Sequence, residues 1–128
     1  MNKELENKLF EKYPKIFVQK DLSMIETCMC WGICCGDGWY WLIDQLCSAL
    51  QYHTDENGFP QVEALQVKEK FGGLRFYASG IADELRGYIS FAERLSDSIC
   101  ELCGSTEHVI QTGGWIMTRC AKCLERQR

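Results

Sequence analysis

The sequence is poor in the residues that mark several common protein classes. Only two prolines occur among 128 residues, which excludes a polyproline linker or a Pro-rich disordered tract. Two histidines, His53 and His108, leave little material for imidazole catalysis. A cation excess is missing too. Fourteen Lys and Arg face eighteen Asp and Glu, a formal net charge of −4, which argues against coating nucleic acid by bulk charge. No apolar run approaches the roughly 18 residues of a membrane span. The opening "MNKELENKLFEKYPKIF" is charged throughout and lacks the apolar centre of a secretory signal. These absences predict a soluble protein of a reducing cytoplasm.

Cysteine, by contrast, is abundant: nine residues, in a chain whose 46% hydrophobic and 12% aromatic content is enough for a core. In a reducing compartment cysteines bind metal or pack as small hydrophobes. Four of them form two Cys-x-x-Cys pairs, Cys100/Cys103 and Cys120/Cys123, with 16 residues between the inner two. Tetrahedral zinc favours thiolates, and each such turn sets two on one side of the ion. Gly104 eases the first turn. Between the pairs, Glu107–Gln111 and Trp115–Arg119 flank Thr112-Gly113-Gly114 as a small hairpin. Knuckle, strand, turn, strand, knuckle is the order of a zinc ribbon, and it predicts one structural zinc per chain. Four thiolates leave no vacancy for His108 or for water. Arg119, Lys122, Arg126 and Arg128 are balanced by Asp97, Glu101, Glu107 and Glu125, and four thiolates on a divalent ion add about −2. The ribbon is therefore expected to be structural, not a phosphate binder.

The remainder reads as an α+β domain over residues 1–99, with the ribbon of residues 100–128 packed on it. Residues 2–13 suit an amphipathic helix stopped by Pro14. A short helical or irregular piece, Asp21 to Thr27, leads into a cysteine-rich turn. A second helix is expected from Trp39 to about Tyr52, with Trp39, Leu42, Ile43, Leu46, Cys47 and Leu50 as its buried face and Asp37 or Gly38 at its start. "HTDENGFP" is a polar loop. Val62–Phe71 and Leu74–Ser79 alternate around Gly72-Gly73, which predicts a β-hairpin in an antiparallel sheet. That turn would oppose Phe71 to Leu74, Lys70 to Arg75, Glu69 to Phe76 and Lys68 to Tyr77. One face then carries Val67, Phe71, Leu74, Phe76 and Ala78 as core. The other gathers Lys68, Lys70, Arg75 and Tyr77. A third helix, Ala82 to Ile99, has Leu85, Ile89, Ala92, Leu95 and Ile99 as its apolar stripe.

Two features suggest binding. The cationic hairpin face can hold a phosphate, a nucleotide or an acidic protein surface. Trp39, Tyr40 and Trp41 follow the Gly36-Asp37-Gly38 turn, giving more aromatic surface than one core face needs. Catalysis is the weaker reading. Cys35, with His53 or His108 as base, is the candidate for a cysteine hydrolase, and Asp55, Glu63, Glu69 and Lys68 for a metal-dependent nuclease. Cys28, Cys30, Cys34 and Cys35 lack knuckle spacing, so a second metal site is not expected.

"CWGICCGDGWYWLID", "LQVKEKFGGLRFY" and "CELCG…GGWIMTRCAKC", in this order, resemble a family of small proteins from bacteria, phages and prophages with no assigned activity. The resemblance covers most of residues 28–123. In that family's pattern the position of Cys34 is often acidic, which makes Cys34 the least important of its cluster. Phage accessory proteins often occlude a host protein or sequester a small molecule or nucleic acid. The resemblance thus implies a binding or inhibitory protein whose partner is a host protein or a small anionic ligand. A nucleic-acid-binding accessory protein is the alternative.

Overall fold

The computed structural model describes residues 1–126; Gln127 and Arg128, the last cation counted above, lie outside them. The chain is α+β. Helix α1 (Lys3–Lys12) is capped by Asn2, whose side chain accepts from the Leu5 N–H at 2.8 Å. Glu4 and Glu6 lie in its first turn and Lys12 in its last, each matching the helix dipole. Glu6 is buried and accepts from the Ile33 N–H at 2.8 Å, tying α1 to strand β1 (Ile33–Cys34). Helix α2 (Tyr40–Asn57) runs five residues past the expected end. The polar "HTDEN" stretch continues the helix, and Gly58 ends it at φ 63°, where a left-handed residue closes the last turn. Asp37 does not cap α2. Residues Asp37–Trp39 form a 3-10 turn instead, and the Asp37 carboxylate accepts from the Asn2 backbone and side-chain amides at 2.7 and 3.0 Å.

Strands β2 (Glu63–Lys70) and β3 (Gly73–Ser79) form the antiparallel hairpin, and β1 joins β2 in parallel, giving the order β1-β2-β3. The parallel strand was not foreseen, because a two-residue strand has no alternation to read. The register also differs from expectation. The turn is Phe71-Gly72, so Lys70 faces Gly73, Glu69 faces Leu74, Lys68 faces Arg75 and Val67 faces Phe76. Both turn residues have positive φ, 52° and 81°, which suits the right-handed twist of a two-residue hairpin. Phe71 is therefore not core: it stands 70% exposed at the tip. Moving the turn by one residue moves each strand partner by two, so the inside–outside assignment of the other residues survives.

Val67, Leu74 and Phe76 point inward, where α2 and helix α3 (Asp83–Ser96) cover them together with Leu9, Phe17, Ile33, Trp39 and Ile43. α3 also lies along the free edge of β3. Ser96 Oγ and Glu93 Oε2 accept from the Leu74 and Phe76 N–H groups, each at 2.9 Å. That edge is thereby closed to strand addition at those two positions. The ribbon hairpin is shorter than expected, with β4 (Val109–Gln111) paired to β5 (Thr118–Cys120). The second Cys-x-x-Cys opens a short helix, α4 (Ala121–Glu125).

Candidate functional site

The four ribbon cysteines converge. The sulfurs of Cys100, Cys103, Cys120 and Cys123 all lie within 4.8 Å of one another, and Cys103 and Cys120 are 3.6 Å apart. Tetrahedral Zn–S bonds of about 2.3 Å would set sulfurs roughly 3.8 Å apart, so the donor set fits a metal ion with little adjustment. Cys100, Cys120 and Cys123 are buried, while Cys103 is exposed. Burial pushes the Cys100 thiol up, but N–H groups of Cys120, Cys103 and Leu102 outweigh it and hold it down at about 6. Burial and the neighbouring Cys120 and Cys100 sulfurs push Cys123 up to about 12. His108 is exposed, outside the cluster, with a left-handed φ of 51°.

Two glycine motifs seat this ribbon on the α+β layer. The Gly38 N–H donates to the Glu101 carbonyl at 2.7 Å, and the Gly36 N–H to Glu101 Oε2 at 2.8 Å. A Cβ at either glycine would come within 3.0 Å of the Cys100 or Glu101 backbone, a separation real side chains essentially never show. The Trp39 indole N–H donates to the Ile99 carbonyl at 2.8 Å from a fully buried position. Trp39 thus belongs to the core, as the helical spacing expects, and not to a binding surface, which corrects its place among the aromatic binding residues. Its Nε1 found a buried carbonyl that periodicity alone does not reveal. At the other end, the Gly72 carbonyl accepts from Thr118 Oγ1, and a Cβ on Gly72 would strike Ile116. Beneath the first knuckle Glu101 pairs with Arg119 at 3.2 Å, both side chains nearly enclosed. Sequence reasoning missed this pair and the seating role of the glycines. The spacing of Gly36 and Gly38, which leaves two bare backbone positions, was the available signal.

The strand register puts Lys68, Lys70, Arg75 and Tyr77 on the face of the sheet opposite Val67, Leu74 and Phe76, with Lys68 and Arg75 half-buried and Tyr77 bordering a cavity it shares with Ile81, Arg86 and Ile89. Lys68 and Arg75 are direct cross-strand partners, and Cys34 of β1 lies beside Lys68 in the same row. Tyr77 opposes Gln66 and is 43% exposed. Lys70 Nζ sits over the Phe71 ring, 5.7 Å from its centroid. Among the described residues, none of the three cations pairs with a carboxylate. Asp97 stands at the rim near Gly73, where its Oδ1 accepts from Gln111 at 3.1 Å. Asp37, Tyr40 and Trp41 come together elsewhere. They line a shallow cavity of about 350 Å³ shared with Cys103 and Gly104 of the ribbon. Trp41 is 62% exposed there.

The catalytic candidates do not converge. Burial pushes the Cys35 thiol up to about 12, opposite to what a nucleophile needs. His53 bonds Tyr88 Oη at 2.9 Å, and no histidine joins a cysteine cluster among the described residues. Asp55, Glu63 and Glu69 are engaged separately by Gln51, Gln19 and the Gly72 N–H. Cys28, Cys30, Cys34 and Cys35 do not group as the ribbon cysteines do; Cys30 and Cys34 donate to nearby carbonyls. Native protein treated with iodoacetamide should therefore carry label on exposed Cys28 and Cys34, with Cys35 reacting about a hundredfold slower or more. Peptide mapping by mass spectrometry checks this, and rapid labelling of Cys35 would restore it as a candidate nucleophile.

Comparison of the chain with known protein families, characterised proteins and solved structures finds no match. No helix among the described residues is long and apolar enough to cross a membrane.

Proposed function

We propose that this is a small cytoplasmic binding protein, of the kind its resemblance to bacterial, phage and prophage proteins implies. One zinc ion held by Cys100, Cys103, Cys120 and Cys123 would serve it structurally. The working surface is the outer sheet face, and the partner is anionic: an acidic region of a host protein, which the protein would occlude or inhibit, or a smaller anion that it sequesters. The observation that carries this reading is the cross-strand pairing of Lys68 with Arg75 beside Lys70. Three cations that form no salt bridge among the described residues share one face of a chain whose net charge is −4, with Asp97 the acidic group near Arg75 at its rim. Asp37, Tyr40 and Trp41 offer an additional contact on their separate cavity.

Reversing two of the charges tests the reading. Lys70→Glu with Arg75→Glu should abolish partner capture from host lysate, while zinc content is retained and stability shifts by no more than about 0.5 kcal/mol. Unchanged capture by that folded variant would remove the sheet face. If Trp41→Ala were then the variant that lost the partner, the aromatic cavity would be the site and the partner apolar.

A further inference from the structure

We infer that the outer sheet face binds single-stranded nucleic acid. This rests on the anionic-partner reading above and narrows it to one class of ligand. The cations are not alone on the face. They lie between two exposed aromatic rings, Tyr77 at one end and Phe71 at the tip, with the Lys70 ammonium already over the Phe71 ring. Gln66, opposite Tyr77, places a side-chain amide with donors and an acceptor beside that ring. From Gln66 to Phe71 an extended strand covers about 17 Å, enough for two or three nucleotides laid across the sheet. Ring, cations, ring is the alternation of a single strand, in which bases stack and phosphates follow at intervals. An acidic peptide would use the cations and leave both rings without a role.

The shape of the site points the same way. Lys68, Lys70 and Arg75 line none of the five principal cavities, and only the Tyr77 end of the strip borders one, of about 340 Å³, shared with Ile81, Arg86 and Ile89. Small ligands favour enclosed pockets, whereas open strips suit polymers. A duplex is disfavoured because its bases are stacked inward, and the cations stand on strands, not on a helix that could enter a groove. The left-handed turn is the clearest mark. Position 71 has φ 52°, where Asn or Gly would be at ease, yet an exposed phenylalanine occupies it. Backbone preference opposes that residue, and burial gives it nothing in the free protein. A stacking role supplies the missing reason.

Fluorescence anisotropy with a short labelled oligothymidylate, beside a polyglutamate peptide of equal charge, tests the inference. The oligonucleotide should bind, and its affinity should fall with salt at a slope of about −2, as three phosphate contacts at roughly −0.7 each require. Phe71→Asn with Tyr77→Ala should weaken it at least tenfold without changing that slope, since each stacked base contributes about 1–3 kcal/mol. Asn before Gly72 suits the turn, so the variant keeps its fold, as thermal unfolding and metal content would verify. Polyglutamate binding as tightly as the oligonucleotide, or an oligonucleotide indifferent to loss of both rings, overturns the nucleic-acid assignment. The anionic face would still stand if Lys70→Glu with Arg75→Glu abolished that binding. Failure of both probes to bind, or indifference to the charge reversal, overturns the two readings together.

Discussion

Removing the metal, or replacing Cys120 by serine, should unfold the ribbon and loosen the tip of the main hairpin with it. The ribbon has almost no core of its own: Cys100, Cys120 and Cys123 are its buried apolar residues, with Val109 packed against them. Without an ion, its three-residue strands and short helix have little to hold them. Structural zinc contributes an apparent 10–16 kcal/mol or thereabouts in isolated zinc modules, so losing it should cost this protein more than about 4 kcal/mol. The damage would spread because Thr118 Oγ1 donates to the Gly72 carbonyl and the Glu101 N–H to the Thr118 carbonyl. Hydrogen exchange should rise first at Cys100, Glu101 and the ribbon strands, then at the Phe71-Gly72 turn, while α2 stays protected. Elemental analysis should find one zinc per chain in the parent and none in Cys120→Ser. A metal-free parent with the same melting midpoint in chelator would refute the metal reading. Two ions per chain would bring the Cys28–Cys35 cluster back.

Much of the architecture is legible in the sequence because its signals are local. Alternation from Val62 to Ser79 identifies the hairpin, and the spacing of Leu85, Ile89 and Ala92 identifies α3, which ends at Ser96, three residues short of the expected Ile99. Two Cys-x-x-Cys turns identify the four-sulfur cluster, since ligand spacing is a short-range property. What escaped depends on contacts between distant segments. Gly72-Gly73 looks like the turn from composition, yet Gly73 enters the strand, closely approached by Arg75 and Asp97, and Gly72 is held by the ribbon. Trp39 lies on a helical stripe and also follows a loop. Only the approach of Ile99 decides that its ring is enclosed. The polar 53–57 stretch has weak hydrophobic pattern, so its helical state rests on continuity with α2 and on the Gly58 cap. The cationic face was readable despite the shifted turn, because a shift of two residues preserves strand parity.

Gly38→Ala should destabilise the fold by about 3 kcal/mol although it adds one methyl group. Gly38 has no positive φ, so backbone strain is not the reason. Space is the reason: the added Cβ would meet the Cys100 carbonyl oxygen and the Glu101 carbonyl group, all within 3.0 Å and all backbone. A flexible side chain can swing aside, but this backbone is fixed on both sides. Cys100 belongs to the four-cysteine cluster, and the Glu101 side chain is held by Arg119 and the Gly36 N–H. Relieving the clash must therefore lift the knuckle from the turn. That breaks the 2.7 Å bond from the Gly38 N–H to Glu101, worth about 1 kcal/mol, and adds about 1–3 kcal/mol of overpacking. The melting midpoint should fall by roughly 10 °C. Gly87→Ala is the matched control. Gly87 lies within α3 with nothing within 4 Å of its would-be Cβ, so the same methyl should stabilise by about 0.5–1 kcal/mol through helix propensity. Opposite signs for one substitution at two glycines would establish the Gly36-Asp37-Gly38 turn as the seat of the ribbon. A neutral Gly38→Ala would mean that the ribbon docks elsewhere.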